Sequence, residues 1–291
     1  MKFLITGATG FLGSRSSFLL AERGHQVVAT ARPKGAARAT GDLEVETIDA
    51  GDPQIRRLIA GCDCVLHFAG VPDPARAGAD PAAAVRENAG TTLNLLEGCL
   101  EHGAGLVYPS SVRAAIEPPP DAYAASKRLG EEACGLHRAD ATVVRLTSVF
   151  GPGQVADEGA TGAIAAFAAR ALADEPIVIP GNPGRGRDFV YVDDVVPALE
   201  QIASEGRWNQ TVTISSGIST PLQRAAELVR EAAGSSSPIE TPGGVLAPGE
   251  NETYEAVLAP SWLDFGPRSL QEAIQSYVDW LRRHPASQGS A

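Results

Sequence analysis

The sequence predicts an α/β protein, a doubly wound parallel sheet with a smaller C-terminal cap. Three observations carry that expectation. Over the first 150 residues, short apolar runs rich in Val, Leu and Ile alternate with helical stretches, the mark of repeated βα units with helices on both faces of a sheet. The apolar runs lack polar alternation, as strands buried on both sides do. The chain also opens on Phe3-Leu4-Ile5, passes through glycines at 7, 10 and 13, and enters an amphipathic segment at 11–23. That is a strand, a tight turn and a helix.

The elements follow in order. Residues 26–30 read as the second strand and 43–48 as the third. A short helix near 53–60 leads to a strand at 62–67, and a long helical stretch at 81–101 leads to a strand at 105–108. A helix at 123–138 precedes the strand 141–146. After Gly151-Pro152-Gly153 the pattern loosens, with Gly and Pro clustered at 180–186, 235–238 and 242–249 between helices at 192–204, 221–233 and 269–283. We therefore divide the chain into a core at 1–150, a mixed region at 151–285 with parts returning to the core, and a disordered tail at 286–291. The alanine tracts at 36–39, 79–84 and 163–171 read as helix or loop filler, and there is no internal repeat.

Composition narrows the function. A chain of 291 residues with 44% hydrophobic and 20% charged residues is that of an ordinary globular protein. A net charge of −11 argues against nucleic acid or an anionic membrane as the main partner. The four cysteines, Cys62, Cys64, Cys99 and Cys134, have neither zinc-type nor disulfide-framework spacing, so we expect no metal and reduced thiols in a cytoplasmic protein. The apolar start stops at Thr6-Gly7, short of a signal peptide, and no stretch reaches the length of a membrane span.

Two segments carry the chemistry. Gly7, Gly10 and Gly13 let the backbone turn tightly, approach a pyrophosphate without Cβ atoms in the way, and aim helix N-terminal amides at the anion. Tyr123 and Lys127 are four apart on a helix, hence on one side of it, where an ammonium can favour the ionised phenol. Ser111 ends the apolar run Gly105-Leu106-Val107-Tyr108-Pro109-Ser110 twelve residues before Tyr123. Together, Thr6-Gly7-Ala8-Thr9-Gly10-Phe11-Leu12-Gly13, Ser111 and Tyr123-Ala124-Ala125-Ser126-Lys127 resemble the extended short-chain dehydrogenase/reductase family, in its epimerase/dehydratase-like, nucleotide-sugar-modifying branch. The resemblance covers nearly the whole chain and is firmest before Gly153.

The resemblance implies a Rossmann core at 1–150 that binds a dinucleotide through Gly7, Thr9, Gly10, Phe11 and Leu12, and a substrate-binding cap at 151–285. Ile48-Asp49-Ala50-Gly51-Asp52 is similar to the family's turn after the third strand, with Asp49 accepting from the adenine amino group and Ala50 beside it. Asp52 before Pro53 is equally explained as a helix cap. His67-Phe68-Ala69-Gly70 looks like the segment that lines the cofactor, so Phe68, Ala69 and Gly70 join the site. Asn88 sits at the family's N-x-x-G-T position as structural support. Where NAD-binding members place an Asp, the second strand here runs into Ala31-Arg32, with Lys34 beyond. A guanidinium there suits a 2′-phosphate, which favours NADP(H) over NAD(H).

By the same resemblance Tyr123 is the acid/base, Lys127 lowers its pKa and binds the nicotinamide ribose, and Ser111, in preference to Ser110, holds the reacting oxygen. The Asp-Glu pair that dehydratases place beside this Ser is replaced by Val112-Arg113, which speaks against loss of water. On the substrate side Ser148 stands where the family's Asn contacts substrate, and Arg187, in Arg187-Asp188-Phe189-Val190-Tyr191-Val192-Asp193-Asp194, stands where an Arg pairs with the diphosphate. Ala247 replaces a second diphosphate arginine, and Trp280 reads as core. The expectation is an NADP(H)-dependent oxidoreductase acting on a secondary alcohol or ketone of a sugar or nucleotide sugar, first of all a 4-keto reductase. The alternatives are a 4-epimerase with retained NAD(P), a reductase of a non-sugar carbonyl, and a cofactor-binding regulator without turnover. The helices at 81–101 and 123–138 are expected to pair in a homodimer.

Overall fold

A computed structural model describes residues 1–33, 44–154, 162–246, 249–250, 252–254 and 257–284. The readings on Lys34, the 36–39 tract, Ala247 and the 286–291 tail lie outside these residues. The chain forms two compact units. The first is Met1–Leu146 with Val195–Ile214 and Pro260–Asp264, and the second is Thr147–Asp194 with Ser215–Ala259 and Phe265–Ala291.

The first unit holds strands β1 (Lys2–Thr6), β2 (Gln26–Ala31), β3 (Val45–Thr47), β4 (Cys64–His67), β5 (Gly105–Ser111), β6 (Ala141–Leu146) and β10 (Gln210–Ile214). They form one sheet in the order β10-β6-β5-β4-β1-β2-β3, and every pairing is parallel. The order reverses at β1, so the crevice beyond the carboxyl ends of β1 and β4 is where an open α/β sheet takes its ligand. The unalternated runs do what they predict: Phe3, Leu4, Ile5, Val65, Leu66, Leu106 and Val107 are wholly buried. The last strand, β10, was not anticipated. It lies beyond residue 150 in sequence, and its Gln-Thr-Val-Thr-Ile pattern carries little apolar signal.

Helices α1 (Phe11–Glu22), α2 (Arg56–Ile59), α3 (Pro74–Ala79), α4 (Pro81–Val85), α5 (Thr91–His102) and α6 (Ala122–Leu136) accompany this sheet, with part of α8 (Val192–Ser204). Several starts are written locally. Asp73 and Asp80 each precede a proline and accept from the amide three residues on, at 2.8 and 2.9 Å. Asp121 caps α6 by accepting from Ala124 N at 2.7 Å. The stretch expected as one helix at 81–101 is interrupted by a π-helical turn, Arg86–Gly90, between α4 and α5. Such turns gather at functional sites.

The second unit carries β7 (Ser148–Phe150), β9 (Gly186–Tyr191) and β11 (Ser219–Pro221) in one small sheet and β8 (Ile177–Pro180) with β12 (Ile239–Gly243) in another. Its helices α7 (Ala163–Leu172), α9 (Leu222–Ala233) and α10 (Leu270–Arg283) enclose a core of Phe150, Phe167, Phe189, Tyr191, Leu222, Ile274 and Tyr277. The 163–171 tract, read as filler, is thus a core helix with Ile164, Phe167 and Ala168 buried. Trp280 is a correction: it is half-buried, stacked on Tyr277 at the edge of this cluster. Among the described residues no helix is long and apolar enough to cross a membrane.

Candidate active site

The site begins at the end of β1. Gly7 has φ +68°, which suits glycine, and a Cβ there would lie 2.7 Å from the backbone nitrogen of Ala69 after β4. A Cβ on Gly13 would run into the Gly7 carbonyl. Gly10 precedes α1 without a side-chain cap and no acidic residue stands in the helix's first turn. The result is a glycine-walled cradle facing free helix amides, which fits the pyrophosphate of a dinucleotide. Thr9, Phe11 and Leu12 are half-buried around it.

A buried hydrogen-bond chain fixes the neighbouring strand ends. Thr6 lies opposite His67 in the β1–β4 pairing. The Thr91 hydroxyl donates to the Glu87 carbonyl at 2.6 Å, so its oxygen accepts from His67 Nε2–H at 3.0 Å. His67 Nδ1 then accepts from the Thr6 hydroxyl at 2.8 Å, and Thr6 in turn accepts from Ala69 N at 3.2 Å. The imidazole stays neutral, pushed down to about 3 by burial and then by the Lys127 charge. Phe68, Ala69 and Gly70 follow, half-buried. Asn88, in the π-helical turn, accepts from Val71 N at 2.9 Å and donates to Ser126 Oγ at 2.8 Å, and Ser126 donates to the Tyr123 carbonyl. It thus ties the loop after β4 to α6.

After β3, Asp49 Oδ1 accepts from Gly51 N at 2.8 Å, and Ala50 is buried with its carbonyl held by Asn94. Asp52 is a helix cap, accepting from Gln54 N. Arg32 directly follows β2 and is exposed, 3.1 Å from the Glu87 carboxylate.

Ser111 ends β5, and its hydroxyl accepts from Arg113 N at 3.2 Å and acts on the Tyr123 phenol near the start of α6. Ser110 is engaged elsewhere, donating to Glu131 Oε1 at 2.6 Å. Lys127 is buried, donates from Nζ to the Pro109 carbonyl at 3.0 Å, and lies 5.0 Å over the Tyr108 ring. Burial pushes its ammonium down to about 8, against the opposing pull of Glu131. The expected lowering of the Tyr123 phenol by Lys127 is corrected here. Burial pushes the phenol up to about 12, and what pulls it down is the Ser111 hydroxyl and then the charge of Arg113. Arg113 pairs with Asp121, the residue that caps α6.

Sequence reasoning missed this surrounding layer. Glu131 continues the Tyr123, Lys127 face of α6 and is held by Arg145 from β6 through Nε at 3.0 Å and Nη2 at 2.6 Å. Its position eight residues after Tyr123 was the available signal.

Ser148 and Arg187 belong to the second unit. Ser148 opens β7, half-buried. Arg187 is buried in β9, and its guanidinium donates to the carbonyls of Gly186, Glu250 and Glu252 and stacks 4.8 Å from the Tyr254 ring centre. The adjacent Asp188 accepts from the amides of Ser216, Gly217 and Ile218 and from Thr147 Oγ1.

The chain is similar in sequence and fold to known proteins. The model of the NAD dependent epimerase/dehydratase family matches residues 3–214. A dTDP-4-dehydro-6-deoxy-D-allose reductase of Streptomyces bikiniensis is 26% identical over 97% of this chain and 96% of its own. A UDP-glucose 4-epimerase of Mycolicibacterium smegmatis is likewise 26% identical, over 97% and 99%. The crystal structure of a Thermus thermophilus UDP-glucose 4-epimerase complex with NAD is similar at 26% identity and TM-score 0.83, covering 97% of this chain and 99% of that one.

Proposed function

The chain belongs to the NAD dependent epimerase/dehydratase family, and from that premise we propose that it is a 4-keto reductase of a nucleotide sugar, with NADP(H) as the favoured cofactor. The observation that carries the reading is the placement of Ser111 at the end of β5, where its hydroxyl acts on the Tyr123 phenol, with Lys127 buried one turn further along α6. A bound nicotinamide dinucleotide supplies or accepts the hydride. Ser111 holds the reacting oxygen, Tyr123 delivers its proton, and Lys127 holds the ribose. The phenol at about 12 is protonated at neutral pH, the state that a reductase needs before turnover. Val112-Arg113 stands where dehydratases place an Asp-Glu pair beside this Ser, which argues against elimination of water.

NADP(H) rests on Arg32 after β2. Arg187 and Ser148 are proposed to face the nucleotide sugar. Four free, buried cysteines suit a reducing cytoplasm. A homodimer is proposed through α5 and α6, which pack on each other and leave Leu93, Leu100, Leu129 and Leu136 exposed.

A 4-epimerase with retained NAD(P) is the second reading, favoured by an epimerase relative as similar as the reductase. The test is to denature the purified protein, weigh any released nucleotide by mass spectrometry, and then offer UDP- and dTDP-4-keto sugars with NADPH. An empty protein that oxidises NADPH supports the reductase. Stoichiometric oxidised cofactor with interconversion of 4-epimers replaces that reading with the epimerase.

A further inference from the structure

Two charges of opposite sign meet where a dinucleotide's adenosine ribose is recognised. In this sheet β2 ends at the buried Ala31, between β1 and β3, and Arg32 is the first residue beyond it. The end of that strand is where an acid takes the ribose 2′-hydroxyl or an arginine takes a 2′-phosphate. No acid stands at Ala31, but one arrives from elsewhere. Glu87, in the π-helical turn Arg86–Gly90, brings Oε2 to 3.1 Å from the Arg32 guanidinium.

The backbone of Glu87 belongs to the same crevice. A Cβ on Gly70 would lie 3.4 Å from the Glu87 carbonyl, and Gly70 directly follows Ala69, against which Gly7 of the cradle packs. The Glu87 carbonyl also anchors Thr91, the partner of His67. The acid is therefore mounted on the framework that shapes the site, while its carboxylate and Arg32 remain partly exposed, at 34% and 58%. Asp49, a further carboxylate after β3, is turned to Gly51 N.

We propose that Glu87 is a specificity-determining residue of the dinucleotide site: its carboxylate competes with a 2′-phosphate for Arg32 and accepts the 2′-hydroxyl when that phosphate is missing. This rests on the dinucleotide reading above. An exposed ion pair of this kind is weak, so a dianionic phosphate can displace Glu87, but it does so against the repulsion of the carboxylate left beside it. With NAD(H) the pair stays closed and Glu87 plays the part of the acid missing from β2.

The test is equilibrium binding of NADPH and NADH, followed by calorimetry, to the wild-type protein, Glu87→Gln, Arg32→Ala and the double variant. Glu87→Gln is expected to tighten NADPH roughly threefold to tenfold and to weaken NADH severalfold, as the removal of one competing surface charge predicts. In the Arg32→Ala background the gain for NADPH should be clearly smaller, because only the repulsion of the carboxylate remains to be relieved and the competition for the guanidinium is gone. Glu87→Gln that leaves both affinities unchanged, or moves both by one factor, overturns the proposal while normal binding by the wild type preserves the dinucleotide reading. Wild-type protein that binds neither nucleotide overturns both.

Discussion

Lys127 Nζ donates to the Pro109 carbonyl at 3.0 Å, which pins the ammonium between the strand that ends in Ser111 and the helix that carries Tyr123. The bond does not repay the burial of the charge, and the ammonium falls from 10.5 to about 8. Between these values the unfolded chain holds the proton and the folded chain releases it, so this group's contribution to stability rises with pH from about 8 to 10.5 and is most unfavourable below 8. The penalty at pH 7 is about 3 kcal/mol, from the size of the shift. Lys127→Met keeps the stem and removes the charge. It is expected to raise thermal stability at pH 7 by about 1–2 kcal/mol, the remainder being lost with the Pro109 hydrogen bond, and to remove turnover. A lower melting temperature at pH 7 would show that the lysine is net stabilising.

Adjacent hydroxyls on β5 have separate duties. Ser111 accepts from Arg113 N and acts on the Tyr123 phenol, whereas Ser110 donates to Glu131. Ser111→Ala is expected to cut kcat by about 10²-fold or more with little change in stability, as loss of a group that orients the reacting oxygen does. Ser110→Ala is expected to retain most activity and to lose about 1 kcal/mol in urea unfolding, one buried hydrogen bond to a carboxylate still held by Arg145. Reversed effects would move the active hydroxyl to Ser110.

What the sequence made legible is what local rules govern. Unalternated apolar runs located the strands of the first unit up to β6 except the half-exposed β3, and glycine spacing located the cradle whose crowding Gly7 and Gly13 now explain. What it hid depends on distant partners. β10 enters the first sheet only because β6 offers it a parallel edge. The Tyr123 phenol lies above its ordinary pKa because burial outweighs the nearby positive charge, and no spacing rule reports burial at that precision. Glu87 had no visible role until the π-helical turn set it beside Arg32.

The cradle itself is testable by one methyl group. A Cβ on Gly13 collides with the Gly7 carbonyl, a backbone atom that can move only by reshaping the turn. Gly13→Ala is expected to weaken both NADH and NADPH by about 10-fold or more, with stability falling by about 1–3 kcal/mol as overpacked sites do. Calorimetric titration and thermal unfolding read the two effects separately. Unchanged affinity for both nucleotides would remove the turn from the dinucleotide site.

The surface of α5 and α6 carries leucines that the fold leaves uncovered. Leu93 and Leu100 are seven residues apart on α5, and Leu129 and Leu136 seven apart on α6, so each pair follows one helix face. They are 47, 44, 48 and 85% exposed, while Leu95 and Leu96 on the same helix are wholly buried. Exposed leucines on two helices that pack together supply apolar surface of the kind that an interface covers. A second copy of the chain meeting it by two-fold symmetry would bury both stripes against their own images, giving a four-helix contact. Leu129→Arg combined with Leu100→Arg sets like charges into that contact. The wild type is expected to run at twice the monomer mass in light scattering and the double variant at the monomer mass, with its melting temperature then independent of protein concentration. A wild type that is monomeric at micromolar concentration would leave the stripes without this role.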